Sequence, residues 1–149
     1  MASERTFTML KPGVLARRIA GRIVSRIEDK GLAIRAIKTL RMDRALAEAH
    51  YAEHRGKDFF ERLVEYIMSG PVVAMVVEGE GAVSILRRLC GATKPEDAAP
   101  GTIRGDFALN TSFNVIHASD SMESAAREIG LFFRPDEIQN WEDGNRGWI

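Results

Sequence analysis

The spacing of apolar residues in the first third of the chain predicts two strands and a helix. The run Arg5–Leu10 stops at Pro12, and it predicts a first strand followed by a turn. Apolar side chains recur every four residues over Ile19–Ile27, which predicts an amphipathic helix that ends at Gly31, a residue suited to a helix C-cap. Leu32–Met42 predicts a second strand, because its apolar and polar positions alternate, although imperfectly.

The middle of the chain predicts helices on either side of one buried strand. Asp43–His54 predicts a helix whose first residue is the cap, and Phe59–Met68 predicts another. Val72–Val77 is apolar throughout, as expected of a central strand that is covered on both faces. Ala82–Leu89 predicts a further helix. Gly91–Asp106 contains two prolines and three glycines, and it predicts a long loop of the kind that often has a function.

The last third of the chain completes an alternating pattern. Asn114–His117 predicts a fourth strand, and Ser121–Phe133 predicts a final helix. The predicted order is strand, helix, strand, two helices, strand, helix, strand and helix. This order indicates a sheet with helices packed on it, in the α+β class. No repeat, low-complexity stretch or linker interrupts residues 1–149, so we expect a single domain.

Composition narrows the class of protein without identifying its chemistry. The 149 residues are 45% apolar and 28% charged, an ordinary balance for a domain large enough to bury a core. No apolar run is long enough to span a bilayer and no secretory signal opens the chain, so we expect a cytoplasmic protein with no membrane partner. The one cysteine, Cys90, excludes an internal disulfide, and its apolar surroundings predict a packed, inert thiol.

Charge is balanced overall but unevenly distributed. Residues 1–75 contain 14 Lys and Arg against 9 Asp and Glu, and residues 76–149 contain 7 against 12, so the two halves carry +5 and −5. A neutral total argues against non-specific nucleic-acid binding as the main role, and we expect no obligatory nucleic-acid partner. It leaves room for a small anionic ligand held by a few converging cations.

Two partial motifs point to other chemistry, and a Walker A loop is absent. Gly79–Gly81 lies between a strand and a helix like a dinucleotide-binding turn, but Ser84 occupies the third glycine position. His50, Glu53 and His54 spell H-x-x-E-H, an inverted zinc-protease signature. A third ligand is hard to find in so short a chain. We therefore interpret the two histidines as a surface pair, with zinc binding as the alternative.

The segment Asn114–Ser121 contains the strongest candidate for chemistry. His117 ends the short predicted strand, and Asp120 with Glu123 resembles a capping box for the following helix. Glu128 falls on the predicted buried side of that helix, where a carboxylate needs a partner. A histidine paired with it would keep one tautomer and leave its other nitrogen free to attack. A histidine at a strand end is more often structural than catalytic, so this pattern alone leaves both interpretations open.

The same octapeptide, Asn114–Ser121, resembles the active-site signature of the nucleoside diphosphate kinases, N-x-x-H-x-S-D-S. The resemblance extends without a gap from about residue 5 to residue 148. Further matching segments are Arg5-Thr6-Phe7 with Lys11-Pro12, His50-Tyr51, Phe59-Phe60, Ser69–Met75 and Pro100–Phe107. Several motifs in the same order therefore make the chain similar to this family along nearly its whole length.

The resemblance implies a fold and a reaction. The fold is a four-stranded antiparallel sheet of ferredoxin-like β-α-β-β-α-β topology, covered by helices. The reaction moves the terminal phosphate of a nucleoside triphosphate to a nucleoside diphosphate, by a ping-pong route through phosphohistidine. His117 matches the phosphorylated histidine, which attacks through Nδ1, and Glu128 matches the carboxylate that orients the ring. Ser119 matches the serine of the same hydrogen-bond network.

The resemblance also implies the nucleotide contacts. These are three cations and two hydroxyls for the phosphates, one amide for the ribose, and an aromatic and an aliphatic residue for the base: Lys11, Arg87, Arg104, Tyr51, Thr93, Asn114, Phe59 and Leu63. Phosphoryl transfer needs mainly positioning and positive charge from the protein, which this set supplies. Mg²⁺ is expected to arrive with the nucleotide phosphates, so no metal ligand is assigned to the protein.

Four positions depart from the family pattern. Gly13 stands where the family usually has Asp, Ala92 where it has an acidic residue, Thr111 where an apolar residue touches the base, and Phe113 where a polar or basic residue is common. None of the four removes a catalytic group. They leave open the preference for a base or sugar and the dynamics of the loops.

The resemblance further implies a homo-oligomer. The ending Gly147-Trp148-Ile149 resembles the tails seen in hexamers of the family, so we expect a hexamer rather than a tetramer. The alternative within the family is an inactive relative that serves as a binding or regulatory module. The presence of His117, Lys11 and the two arginines argues against that alternative.

Overall fold

The computed structural model describes residues 3–149, in which four strands form one antiparallel sheet. The strands are β1 (Ser3–Leu10), β2 (Ala33–Leu40), β3 (Val72–Glu80) and β4 (Ile116–Ala118). Their order across the sheet is β2-β3-β1-β4, and every neighbouring pair is antiparallel. This arrangement confirms the expected α+β class and the ferredoxin-like sheet.

Six helices within residues 3–149 surround the sheet. They are α1 (Ala20–Asp29), α2 (Arg44–His50), α3 (Phe60–Met68), α4 (Ala82–Cys90), α5 (Ile103–Phe107) and α6 (Met122–Phe132). Short 3₁₀ turns occupy Ala52–His54, Pro95–Asp97, Thr111–Phe113 and Pro135–Glu137. Within residues 3–149, no helix combines the length and the apolar character that crossing a bilayer requires.

The sheet is the middle layer between two apolar cores. Alternate side chains of β3 point to opposite faces, as the two-residue period of a strand requires. Val73, Met75 and Val77 pack with α1, α4 and α5, whereas Val72, Ala74 and Val76 pack with α2, α3 and α6. The prediction of a central strand buried on both faces is therefore confirmed. Cys90 packs in the first core, where burial raises the pKa of its thiol to about 11.

Several predicted elements have different extents in the structure. The fourth strand, predicted over Asn114–His117, covers Ile116–Ala118, because Asn114 and Val115 form a turn. The predicted helix Asp43–His54 is too long, because α2 ends at His50 and a 3₁₀ turn follows. Its cap is as expected: the Asp43 carboxylate accepts a hydrogen bond from the backbone of Leu46 at 2.8 Å. The predicted loop Gly91–Asp106 is wrong over its last part, where α5 begins, and it also contains a 3₁₀ turn.

Helix α5 depends on a close backbone approach that composition alone does not reveal. Its cap is Thr102, whose hydroxyl accepts a hydrogen bond from the backbone of Gly105 at 3.0 Å. A Cβ at position 105 would collide with the carbonyl oxygen of Ala99. Only glycine fits there, so a residue that normally weakens helices makes this short helix possible.

The start of α6 differs from the predicted capping box. The N-cap is Ser121, whose hydroxyl accepts from the backbone of Ser124 at 3.0 Å, and not Asp120. Asp120 lies one residue earlier, and hydrogen bonds with the Ser124 and Ser121 side chains lower the pKa of its carboxyl. The shift of one residue leaves Glu128 on the buried side of α6, as predicted.

Candidate active site

The site is built around His117 on β4 and Glu128 on α6. Strand β4 pairs with β1 in a register that places His117 opposite Met9. The imidazole Nε2 lies 2.5 Å from Glu128 Oε1, so Nε2–H donates to the carboxylate. The His117 side chain is 25% exposed and that of Glu128 only 5%. The hydrogen bond therefore occupies the inner nitrogen and leaves a lone pair on Nδ1.

Other groups hold the buried Glu128 carboxylate. The hydroxyl of Ser119, itself fully buried, donates to Glu128 Oε1 at 3.0 Å. Arg127 Nη2 lies 3.6 Å from the other oxygen, Oε2. Both oxygens thus have partners, which a buried charge requires. The predicted network of His117, Glu128 and Ser119 is assembled in the fold.

The backbone just before His117 is strained. Val115 has a φ of 62°, in the left-handed region that β-branched residues rarely adopt. The backbone N–H of Ile116 donates to the carbonyl of Asn114 at 2.8 Å, so the three residues form a γ-turn. Such conformations cost of the order of 1–3 kcal/mol and occur mainly at functional sites. The turn carries the chain from Asn114 to β4 within two residues.

Lys11 lies at the end of β1 and contacts Asn114. Its Nζ donates to Asn114 Oδ1 at 2.7 Å, and Asn114 Nδ2 donates to the carbonyl of Thr93 at 3.2 Å. Burial, and then the charge of Arg104, lowers the pKa of Lys11 to about 8. The ammonium group therefore loses its proton at a pH only slightly above neutral.

The two predicted arginines occupy different environments. Arg104 is buried and donates to three backbone carbonyls, those of Gly91 at 2.9 Å, Asn114 at 3.2 Å and Ile116 at 2.6 Å. It therefore joins the end of α4 to the strand that carries His117. Arg87 is exposed and donates to the carbonyl of Ala118 at 3.1 Å.

These residues line one cleft of about 220 Å³. Eight of the eleven predicted site residues contribute to its wall: Lys11, Tyr51, Arg87, Thr93, Arg104, Asn114, His117 and Glu128. Ser119 lies behind Glu128. Tyr51 is buried, and burial raises the pKa of its phenol to about 12, so it remains a hydroxyl donor at neutral pH.

The two predicted base contacts lie outside this wall. Phe59 is half-buried, and its ring lies 5.4 Å from the ring of His54, which lines the cleft. Leu63 packs on the apolar core beneath α3. Of the residues that depart from the family pattern, Phe113 is 58% exposed and packs edge-on against Tyr66 at 5.4 Å.

Sequence reasoning missed several residues of the cleft, chiefly His50, Asp120 and Arg127. The interpretation of His50 as half of a surface pair is wrong, because this side chain is only 4% exposed and lies beside His117. A helical signal could have found it. His50 is three residues from the buried Ala47, and both face the core.

The zinc motif does not assemble as the spacing indicated. In the described part of the chain, the one group of three side chains that could share an ion is His50, His117 and Glu128, with ligand atoms within 4.8 Å of one another. His54 does not belong to it. The cleft also contains Lys11 and the three arginines at 87, 104 and 127, whose charges repel a free cation. This arrangement suits an anionic ligand better than a bare metal ion.

Comparison with known proteins identifies one family. Residues 4–138 match the family model described as nucleoside diphosphate kinase. The nucleoside diphosphate kinase of Archaeoglobus fulgidus is 59% identical over 98% of this chain and 97% of its own length. That of Treponema pallidum (strain Nichols) is 57% identical over 97% of each chain.

Solved structures of similar proteins have the same fold. A halophilic nucleoside diphosphate kinase from Halobacterium salinarum, in complex with CDP, superposes with a TM-score of 0.95 at 48% identity. That match covers 99% of this chain and 98% of the other. A nucleoside diphosphate kinase family protein from Babesia bovis superposes with a TM-score of 0.94 at 44% identity, covering 97% of this chain and 98% of its own.

Proposed function

The chain belongs to the nucleoside diphosphate kinase family, whose enzymes transfer phosphate between nucleotides, and we propose that it does so by a ping-pong mechanism with a phosphohistidine at His117. The observation that carries the proposal is the 2.5 Å contact between His117 Nε2 and Glu128 Oε1 in a cleft lined by cations. This contact keeps the proton on Nε2, so that Nδ1 is the nucleophile.

The first half-reaction phosphorylates the enzyme. The Nδ1 lone pair attacks the terminal phosphorus of a nucleoside triphosphate, the bond from phosphorus to the bridging oxygen breaks, and the nucleoside diphosphate leaves with that electron pair. The ring then carries a positive charge, which the Glu128 carboxylate stabilises through Nε2–H. Ser119 keeps the carboxylate in place through its hydrogen bond to Oε1.

The second half-reaction reverses these steps with a different nucleotide. A terminal oxygen of the incoming nucleoside diphosphate attacks the phosphorus, the P–Nδ1 bond breaks, and the electron pair returns to His117. Lys11, Arg87 and Arg104 balance the charge of the phosphoryl oxygens in both directions. The hydroxyls of Tyr51 and Thr93 donate to the phosphates.

The nucleotide is held by groups at the rim of the cleft. Asn114 binds the ribose hydroxyl, and its contacts with Lys11 and Thr93 link the sugar to the phosphate contacts. Phe59 stacks on the base with Leu63 beside it. Stacking uses a face that every base has, so we expect broad base tolerance.

Magnesium would be held mainly by the nucleotide phosphates. Mg²⁺ prefers oxygen ligands, and it would neutralise phosphate charge when bound. The carboxylates of Glu53 and Asp120 line the cleft, but among residues 3–149 they form no group of three with Glu128. We further expect a cytoplasmic protein that forms a homo-oligomer, a hexamer rather than a tetramer. Analytical ultracentrifugation would test the number of subunits.

Labelling tests the phosphohistidine directly. Protein incubated with Mg²⁺ and γ-labelled ATP should take up a label that is stable in alkali and lost in acid. Peptide mapping should place it on His117 rather than on His50 or His54. The label should pass to added nucleoside diphosphate, and initial rates should give the parallel double-reciprocal lines of a ping-pong reaction. An unlabelled wild type, or a label that persists in His117→Ala, would contradict the proposal.

A further inference from the structure

His50 is a buried side chain beside the reacting histidine to which the proposed mechanism gives no role. It is the last residue of α2, it is 4% exposed, and it shares the buried face of that helix with Ala47. Its ring centroid lies 4.7 Å from that of His117, and the two ring planes are at 81°. The side chain therefore meets the reacting group at close range from a different element.

The His50 ring is itself held on two other sides. It meets Tyr51 at 4.7 Å and 65°, and Phe132 of α6 at 5.6 Å and 85°. Edge-to-face contacts of this kind are the preferred geometry of aromatic pairs and contribute about 0.5–1.5 kcal/mol each beyond burial. Phe132 in turn stacks on Phe7 at 4.6 Å. The ring thus has little freedom to move away from His117.

The hydrogen bond to Glu128 alone does not define the plane of the His117 ring. One contact at Nε2 fixes that atom, but the terminal torsion of a histidine is broad and nearly two-fold. The ring could pivot about this torsion, which would break the hydrogen bond, turn Nδ1 away from the phosphates and turn Nε2 towards them. A perpendicular ring packed against His117 opposes this pivot, because rotation would drive the two rings into contact. Phe7, at 6.0 Å and 53°, is a more distant and tilted neighbour.

Two properties of His50 fit a role toward His117 rather than toward stability. Its Nδ1 has no hydrogen-bond partner among residues 3–149, and a buried polar atom without a partner destabilises a fold by about 1–3 kcal/mol. Burial, with the charges of His117, Lys11, Arg127 and His54, lowers the pKa of His50 to about 2. The ring therefore remains neutral and adds no charge beside the nitrogen that receives the phosphoryl group.

We propose that His50 is a positioning residue, whose ring fixes the plane of the His117 imidazole so that phosphorylation occurs on Nδ1. This inference rests on the proposed phosphohistidine mechanism. It predicts that the shape of the ring matters more than its nitrogens. Phenylalanine at position 50 should then recover most of the function that alanine loses.

The isomer of the phosphohistidine is the decisive measurement. With γ-labelled ATP, wild type should form the Nδ1 isomer alone, read by isomer-specific antibodies or by ³¹P NMR. His50→Ala should form a mixture that includes the Nε2 isomer, and its phosphorylation rate should fall by about 10- to 100-fold, the usual effect of a misplaced reacting group. His50→Phe should restore the Nδ1 isomer and most of the rate.

A matched control separates positioning from loss of stability. Val64→Ala removes two methyl groups from a fully buried position of α3 in the second apolar core, and it should lower the unfolding temperature while leaving the isomer unchanged. If His50→Ala gives only the Nδ1 isomer at the wild-type rate, the positioning role is wrong. It is also wrong if His50→Phe is as impaired as the alanine variant. A wild type that forms no phosphohistidine would instead refute the proposed function.

Discussion

The Lys11 ammonium should limit the reaction at alkaline pH. Burial and Arg104 lower its pKa to about 8 in the free protein, from the ordinary lysine value of 10.5. Above that pH the side chain loses its proton, and the phosphates lose a cation. If the charged form is required, kcat/KM for the nucleoside triphosphate should fall about tenfold for each pH unit above 8, because this parameter reports the groups of the free enzyme.

The Tyr51 phenol and the Cys90 thiol do not titrate in the same range. The pKa of Tyr51 is raised to about 12 and that of Cys90 to about 11, so both keep their protons between pH 8 and 10. Arginine keeps its charge throughout. A decline in this window is therefore assigned to Lys11.

Lys11→Arg is the matched variant. Its kcat/KM should be lower at neutral pH, because a guanidinium does not reproduce the single contact that the ammonium makes with Asn114. Its profile should nevertheless stay flat to about pH 10, since the guanidinium remains charged. Parallel profiles for the two proteins up to pH 9.5 would refute the assignment.

Stability offers an independent check with a defined sign. The pKa of Lys11 is lower in the folded protein than in the unfolded chain, so below pH 8 the charge on this lysine destabilises the folded protein. A shift from 10.5 to about 8 corresponds to about 3 kcal/mol. Between pH 8 and 10.5 the folded protein releases its proton first, and the penalty disappears. The advantage of Lys11→Met over wild type in unfolding free energy should therefore shrink across this range.

Three further predictions concern residues around His117. Glu128→Gln should slow His117 phosphorylation by about 100-fold, because it removes the charge that stabilises the phosphorylated ring. Ser119→Ala should slow it by about tenfold, because it removes only one hydrogen bond to the Glu128 carboxylate. Rapid-quench labelling would measure both rates, and an equal loss in the two variants would contradict this order. Val115→Gly should be more stable than Val115→Ala by about 1 kcal/mol in denaturant unfolding, because glycine accepts a positive φ. Alanine is usually the more stabilising of the two residues, so a more stable alanine variant would remove the argument for strain. Arg104→Lys should lower the unfolding free energy by about 3 kcal/mol, since one ammonium cannot replace three donors to separate carbonyls, and unchanged stability would show that these bonds contribute little.

The local pattern of apolar and polar residues was sufficient to predict much of the fold. The apolar run of β3 predicted burial on both faces, and the helical period of α6 predicted that Glu128 lies inward; both are seen in the structure. Such features depend on residues within one or two turns of each other, so the sequence displays them directly. The start of α5 and the cap of α6 depend on individual side-chain hydrogen bonds, which composition does not reveal.

In the candidate site, too, the sequence predicts some features and not others. The signature around His117 and the resemblance to a family supplied the residues that we propose react, because those side chains occur in the sequence in a fixed order. The packing of His50 against His117 was not predictable, since it joins α2 to β4 across 67 positions of chain. Nor was the use of Arg104 as a donor to three carbonyls, or the strain at Val115. The sequence by itself determined which groups are available for phosphoryl transfer. Only the tertiary structure decided their neighbours and the orientation of each ring, because those depend on contacts between segments that are distant in the chain.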